Sequence, residues 1–138
     1  MRAMEGNLID TIRLENGLEV ELWDLSRRLA GDRWLVALEV RAYVPLEETV
    51  LNPDSKLPYG ANAAKVLKER FGEKIPYVHR QERHFIDQSE VDRLLEEFMG
   101  LIRKNLLPYL SHPEFSKRLI ISKARELYQK DPRLFMDP

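Results

Sequence analysis

The side chains best suited to acid–base or metal chemistry lie together in one short run, His79 to His84. Because side chains alternate along a strand, Arg80, Glu82 and His84 share one side of the run and the other three residues share the opposite side. Glu82 beside His84 has the composition of an acid–base pair or of two metal ligands. His79 and His84, however, lie on opposite sides and cannot hold one metal ion together. The run is therefore typical of a charged, soluble edge strand. In the alternative interpretation the chain is a small enzyme, and Glu82 and His84 are its candidate catalytic residues.

Other catalytic and cofactor signatures are missing from the sequence. No G-x-S-x-G elbow surrounds a serine, and the six glycines are scattered rather than grouped into a phosphate-binding loop. The absence of cysteine excludes disulfides, thiolate zinc sites and cysteine nucleophiles, and it is typical of the reducing cytoplasm. We therefore expect no cofactor, no metal site and a cytoplasmic location. We also expect no membrane association, since the longest apolar run, residues 34–38, is too short to span a bilayer.

The charge is nearly balanced overall but unevenly distributed along the chain. The net charge is −1, whereas residues 100–138 carry eight basic and four acidic side chains, a net +4. Four of these basic residues belong to the last predicted helix: Lys117, Arg118, Lys123 and Arg125. Arg118 and Arg125 are seven residues apart and share a helix face. A basic helix can bind phosphate groups, so nucleic-acid binding through these residues is one alternative function.

The first third of the chain has the period-two pattern of an antiparallel sheet. Glu15-Asn16-Gly17 has the pattern of a three-residue hairpin turn, and centring the turn on Asn16 pairs Ile12 with Val20. The same pattern puts Leu8 on the side of Ile12. A second hairpin centred on Gly31 sets core residues opposite core residues and Glu21 opposite Arg41. We therefore predict a three-stranded meander with one buried face and one charged face.

Several large side chains fall on the face of the meander opposite the main apolar row. They are Trp23, Leu25, Leu35 and Tyr43. If nothing covers them, they leave aromatic and aliphatic surface for a protein partner or for a second copy of the chain. We take Trp23, Leu35 and Tyr43 as candidate partner-binding residues. The alternative is that another part of the chain folds over them.

The rest of the sequence favours helices around one more strand. The pattern predicts a long loop at 45–59, a helix at 61–71, a strand at 75–86 whose buried side is ambiguous, and two helices at 89–107 and 113–129. Ser89 is expected to begin the first long helix with Asp92 as its capping-box partner, and Pro108 to break it. Leu134, Phe135 and Met136 are expected to pack on the body or on a partner.

The predicted fold is therefore a single α+β domain over residues 1–138. Its sheet has about four antiparallel strands in the order β-β-β-α-β-α-α, with three helices packed on one face. By elimination, the leading functional interpretation is a non-enzymatic protein-interaction or regulatory module. We expect it to bind a protein partner or to associate with itself, through a sheet edge or through the Trp23/Tyr43 face.

Overall fold

The computed structural model describes residues 6–46 and 62–136, so most of the predicted 45–59 loop lies outside the described residues. Within them the chain has the predicted α+β class, with a five-stranded antiparallel sheet and three helical segments. The described residues divide into two compact units. The first comprises residues 6–42 and 77–112, and the second comprises residues 43–46, 62–76 and 113–136.

The sheet confirms the predicted strand registers. Its strands are β1 (Asn7–Arg13), β2 (Glu19–Asp24), β3 (Arg27–Ala30), β4 (Arg33–Pro45) and β5 (Lys74–Asp87). Ile12 pairs with Val20, and Glu21 pairs with Arg41, as the two hairpin centres predicted. The first turn closes as expected, because Gly17 adopts φ 87° and its N–H donates to the Leu14 carbonyl at 2.9 Å.

The prediction of about four strands missed β3. Strand β3 follows β2 along the same edge of β4, since Arg27 pairs with Leu35 in the register that β2 already has. Between the two strands, the Leu25 N–H donates to the Ala37 carbonyl at 2.9 Å, and the Ala37 N–H donates to the Ser26 hydroxyl at 3.1 Å. The Ser26 hydroxyl thus replaces a backbone carbonyl as the acceptor at one position of the ladder. This interrupts what would otherwise be one long strand and divides it into β2 and β3.

The prediction for the start of β1 was wrong. A bulge between Leu8 and Asp10 shifts the register by one residue, so that Leu8 pairs with Trp23 instead of sharing the side of Ile12. Because one extra residue moves every preceding side chain to the opposite face, Leu8 is 49% exposed.

The helical segments lie close to their predicted positions. They are α1 (Ala63–Phe71), α2 (Val91–Leu101), α3 (Leu107–Leu110) and α4 (Phe115–Lys130), with 3-10 turns at Gln88–Glu90 and Pro132–Phe135 and a π-helical turn at Ile102–Leu106. The π turn joins α2 to α3, so these three form one segment. The expected break at Pro108 does not occur. Pro108 directly follows the first residue of α3, and the helical segment continues through it to Leu110.

The expected helix cap was also wrong. Asp87, not Ser89, caps the helical segment, because its side chain accepts a hydrogen bond from the Ser89 N–H at 3.0 Å. A short 3-10 turn therefore precedes α2, and Ser89 lies inside it. The residues Asp87 and Glu90 have the spacing of a capping box that begins two residues earlier than expected.

Each unit has its own buried apolar residues. In the first unit they come mainly from β2, β4 and the α2 segment, and they include Val20, Leu22, Val36, Leu38, Val40, Leu94, Phe98 and Ile102. In the second unit, Ala63 and Val66 of α1 pack with Phe135 and with Leu127 of α4. Phe135 therefore packs on the body as expected, whereas Leu134 and Met136 are exposed.

Candidate binding cleft

Strand β5 has one paired side and one open side among the described residues. It pairs with β4 alone. The Leu46 N–H donates to the Glu73 carbonyl at 2.9 Å, and the Gln88 N–H donates to the Asp32 carbonyl at 2.8 Å, so the two strands run antiparallel. An ion pair of 3.8 Å between Arg80 Nη1 and Glu39 Oε1 joins the strands between these bonds.

This pairing determines which backbone groups of β5 face outward. In an antiparallel ladder, every second residue directs both its N–H and its C=O toward the same neighbour. From the bond at Glu73, the odd-numbered residues up to Arg83 face β4 and the even-numbered residues up to Glu82 face the open edge. Pro76 falls on an outward position, where its missing N–H costs no ladder bond, in agreement with the expectation that it lies on an edge.

A cleft lies between β5 and the helical segment that contains the π turn. Its volume is about 310 Å³, and its lining comprises His79, Gln81, Leu101, Ile102, Asn105, Leu106 and Tyr109. The strand supplies two alternate residues, and the helix supplies residues about one turn apart. Three apolar side chains and four polar ones line the cleft.

The π turn contributes three of the residues that line the cleft. Ile102, Asn105 and Leu106 all belong to this turn. Such turns occur frequently at functional sites.

Three of the four polar side chains of the cleft have no partner within the described residues. Within the described residues, the side chains of His79, Gln81 and Asn105 make no hydrogen bond or ion pair, and they are half-buried or exposed. Amides donate and accept at the same time, which suits them to the backbone of an extended peptide. Nothing inside the described chain competes for these groups.

The tyrosines near the cleft have a specific electrostatic environment. Burial raises the pKa of Tyr77, and the neighbouring Tyr109 raises it further. Tyr77 is half-buried, whereas Tyr109 is exposed and lines the cleft.

The candidate catalytic residues are not brought together in this cleft. Glu82 accepts a hydrogen bond from Arg80 Nε at 2.7 Å and lies on the face of β5 away from His79 and Gln81. His84 is exposed, and neither residue lines the cleft. The structure described here also contains no group of three or more acidic or histidine side chains that could hold a metal ion.

The opposite face of the sheet in the first unit carries a network of charges. Glu39 joins Arg80 of β5 to Arg41, whose Nε donates to Glu39 Oε2 at 2.5 Å. The Arg41 guanidinium lies 4.6 Å from the centroid of the Trp23 ring, a cation–π distance. The Trp23 indole donates to Glu21 at 3.0 Å. Much of the charge on this face is therefore satisfied inside the chain.

The three candidate partner-binding residues differ in exposure. Leu35 is only 4% exposed, so it offers almost no surface to a partner. Trp23 is half-buried under Arg41, and Tyr43 is 49% exposed. Trp23 belongs to the first unit and Tyr43 to the second.

Three of the four basic residues of helix α4 are exposed. Lys117, Arg118 and Arg125 are exposed, and they form no ion pair within the described residues. Lys123 is half-buried and lies 3.5 Å from Glu126. The described part of the second unit carries ten basic and five acidic side chains, a net +5.

The comparisons with known proteins give no information about function, so function is inferred from the geometry described above. The chain matches no protein-family model, no curated protein and no solved structure. Among the described residues, none of the helices combines the length and the apolar character that crossing a membrane requires.

Sequence reasoning identified one side of the cleft and missed the other. The alternation of the run at 79–84 placed His79 and Gln81 on the same side. The π turn has no recognisable periodicity in the sequence. Because a break was predicted at Pro108, the continuous helical segment that brings Asn105 and Tyr109 to the cleft was not expected. One feature of the sequence indicated that this helix is irregular but continuous, namely the long amphipathic run that leads into Pro108.

Proposed function

We propose that the chain is a non-enzymatic protein-interaction module that binds an extended segment of a partner along the open edge of β5. The partner strand would extend the sheet, and alternate side chains of that strand would enter the cleft between β5 and the π turn. This is recognition by strand addition, in which backbone bonds supply affinity and a neighbouring pocket supplies specificity.

One observation carries this proposal. The 14-residue strand β5 is paired on one side only among the described residues, next to a cleft whose amides have no partner there. A long open edge is a template for another strand, and proteins usually shorten or cover such edges. Val78, on this edge, is 56% exposed, which adds apolar surface beside the open backbone groups.

The charges of β5 favour selectivity over indiscriminate aggregation. Arg80 and Glu82 stand on the outward-facing positions, so an incoming strand must present compatible charges. Gln81 and Asn105 in the cleft would hydrogen-bond polar groups of the partner, while Leu101 and Leu106 would contact its apolar side chains.

A displayed library of random peptides, selected against the folded chain, tests the proposal. We expect selected peptides to perturb the backbone amide resonances of residues 78–82 and 101–109. Glu82→Pro removes an outward N–H without removing a bond to β4, and we expect it to abolish binding. Arg13→Pro makes the matching change on the outer edge of β1 and should leave binding intact. Selected peptides that bind the Glu82→Pro protein as well as the original would contradict the proposal.

A second candidate function is nucleic-acid binding through helix α4. The net +5 of the second unit and the unpaired state of Arg118 and Arg125 within the described residues support it. We expect retention on heparin that weakens with salt and is lost in the Arg118→Glu, Arg125→Glu double variant. The absence of retention at low salt would end this alternative.

A further inference from the structure

We infer that the strand accepted by β5 is β5 of a second copy of this chain, paired antiparallel about a two-fold axis at Gln81. This inference rests on the proposed function, because it names the partner of the same open edge. A two-fold axis makes an interface self-complementary, since each contact occurs twice.

Charge selects the register of this pairing. With the axis at Gln81, Arg80 of each copy stands opposite Glu82 of the other, which gives two attractive pairs. Moving the axis by one residue in either direction sets Arg80 opposite Arg80 or Glu82 opposite Glu82. Like charges directly opposite one another destabilise a strand pair, so both neighbouring registers are disfavoured.

The backbone geometry agrees with the register that the charges select. Arg80 and Glu82 are both counted as outward-facing from the Glu73 bond. About an axis at Gln81, Arg80 of each copy pairs with Glu82 of the other. Outward N–H and C=O groups of both copies then exchange hydrogen bonds, as an antiparallel ladder requires.

The cleft-facing side chains are also compatible with this pairing. Gln81 would face its own copy across the axis, and two amides can each donate to and accept from the other. His79 would stand opposite Arg83, where an imidazole nitrogen can accept a hydrogen bond from a guanidinium. These side chains make no hydrogen bond or ion pair within the described part of a single chain.

On pairing, Arg80 and Glu82 would exchange one set of contacts for another, and each would keep an opposite charge beside it. In one chain, Arg80 Nε donates to Glu82 two residues away, and Arg80 Nη1 lies 3.8 Å from Glu39. In the pair, Glu82 would bind the arginine of the other copy, while Arg80 keeps Glu39. Arg80 and Glu82 are 39% and 38% exposed, so both can be changed without opening the core.

Sedimentation velocity on charge-reversed variants tests the register. We expect the original chain to form a dimer, and Arg80→Glu or Glu82→Arg alone to weaken it by on the order of a hundredfold, because two facing pairs turn repulsive. An equimolar mixture of the two variants restores both attractive pairs and should form a heterodimer. Circular dichroism confirms that each variant is folded, and Arg80→Gln and Glu82→Gln provide milder versions.

Reversal of an exposed pair elsewhere serves as the control. Glu90 and Arg93 form an ion pair on the helical segment, and reversing either should leave the association unchanged. A chain that stays monomeric up to about 1 mM, variants that dimerise like the original, or a mixture that stays monomeric would overturn the inference. A monomeric chain that still binds library peptides at β5 would remove the self-pairing alone, whereas the loss of both would remove the proposed function as well.

Discussion

Asn16 donates its side-chain Nδ2 to the Leu110 carbonyl at 2.7 Å and to the His112 carbonyl at 3.1 Å, which bonds the first hairpin turn to the end of α3. The same side chain accepts a hydrogen bond from the Leu18 N–H at 3.1 Å. One amide thus holds the turn closed and satisfies carbonyls at a helix end, where the helix itself supplies no donor.

We expect Asn16→Ala to lower the free energy of unfolding by about 2 kcal/mol, since three hydrogen bonds of about 0.5–1.5 kcal/mol each are removed. Urea denaturation measures this change. Asn16→Asp keeps the acceptor for Leu18 but has no N–H to offer the two carbonyls, so it should be at least as destabilising. An aspartate variant as stable as the original would show that the contacts with Leu110 and His112 contribute nothing.

Phe85 combines an unfavourable backbone conformation with an exposed ring. Its φ is 58°, in the left-handed region, and its side chain is 72% exposed. Glycine adopts this conformation without steric cost, so we expect Phe85→Gly to raise the free energy of unfolding by about 1 kcal/mol. Phe85→Ala removes the ring but keeps the Cβ, and it should not be stabilising. Equal stability of the two variants in denaturant would contradict this account.

The pKa of Asp87 links the helix cap to pH. Hydrogen bonds from the Ser89 hydroxyl and the Ser89 N–H lower the pKa of Asp87. A carboxyl whose pKa is lowered in the folded state stabilises the fold above its ordinary pKa, and that contribution disappears as the pH falls through the lowered value. We expect Ser89→Ala to move the Asp87 pKa back toward its ordinary value in a carboxyl-carbon NMR titration. Ser122→Ala, an exposed serine on α4, is the control and should leave the Asp87 titration unchanged.

The sheet was largely predictable because its registers follow from turn chemistry and side-chain alternation together. The turn at Asn16 and the turn at Gly31 each fixed a register, and the charge pair of Glu21 and Arg41 agreed with it. The errors occurred where one residue breaks the alternation. The bulge before Asp10 and the Ser26 hydroxyl bond leave the hydrophobic pattern almost unchanged, so periodicity alone does not detect them.

The candidate cleft was harder to predict because it depends on long-range placement. The sequence showed that His79 and Gln81 share a side of a strand, but not which helix lies opposite. That helix contains a π turn, and the apolar period of 3.6 residues does not extend through such a turn. The basic face of α4 could be predicted from residue spacing alone, because the residues that share a helix face do not depend on where any other element lies.

Amide hydrogen exchange on β5 tests most directly whether its outer edge receives another strand. In dilute solution we expect the His79 and Gln81 amides, counted as facing β4, to be protected, and those of Arg80 and Glu82 to exchange rapidly. At high protein concentration, or with a library-selected peptide bound, the Arg80 and Glu82 amides should become protected in step with complex formation. Protection of Arg80 and Glu82 in the dilute chain, or rapid exchange under every condition, would contradict an open edge that accepts a partner strand.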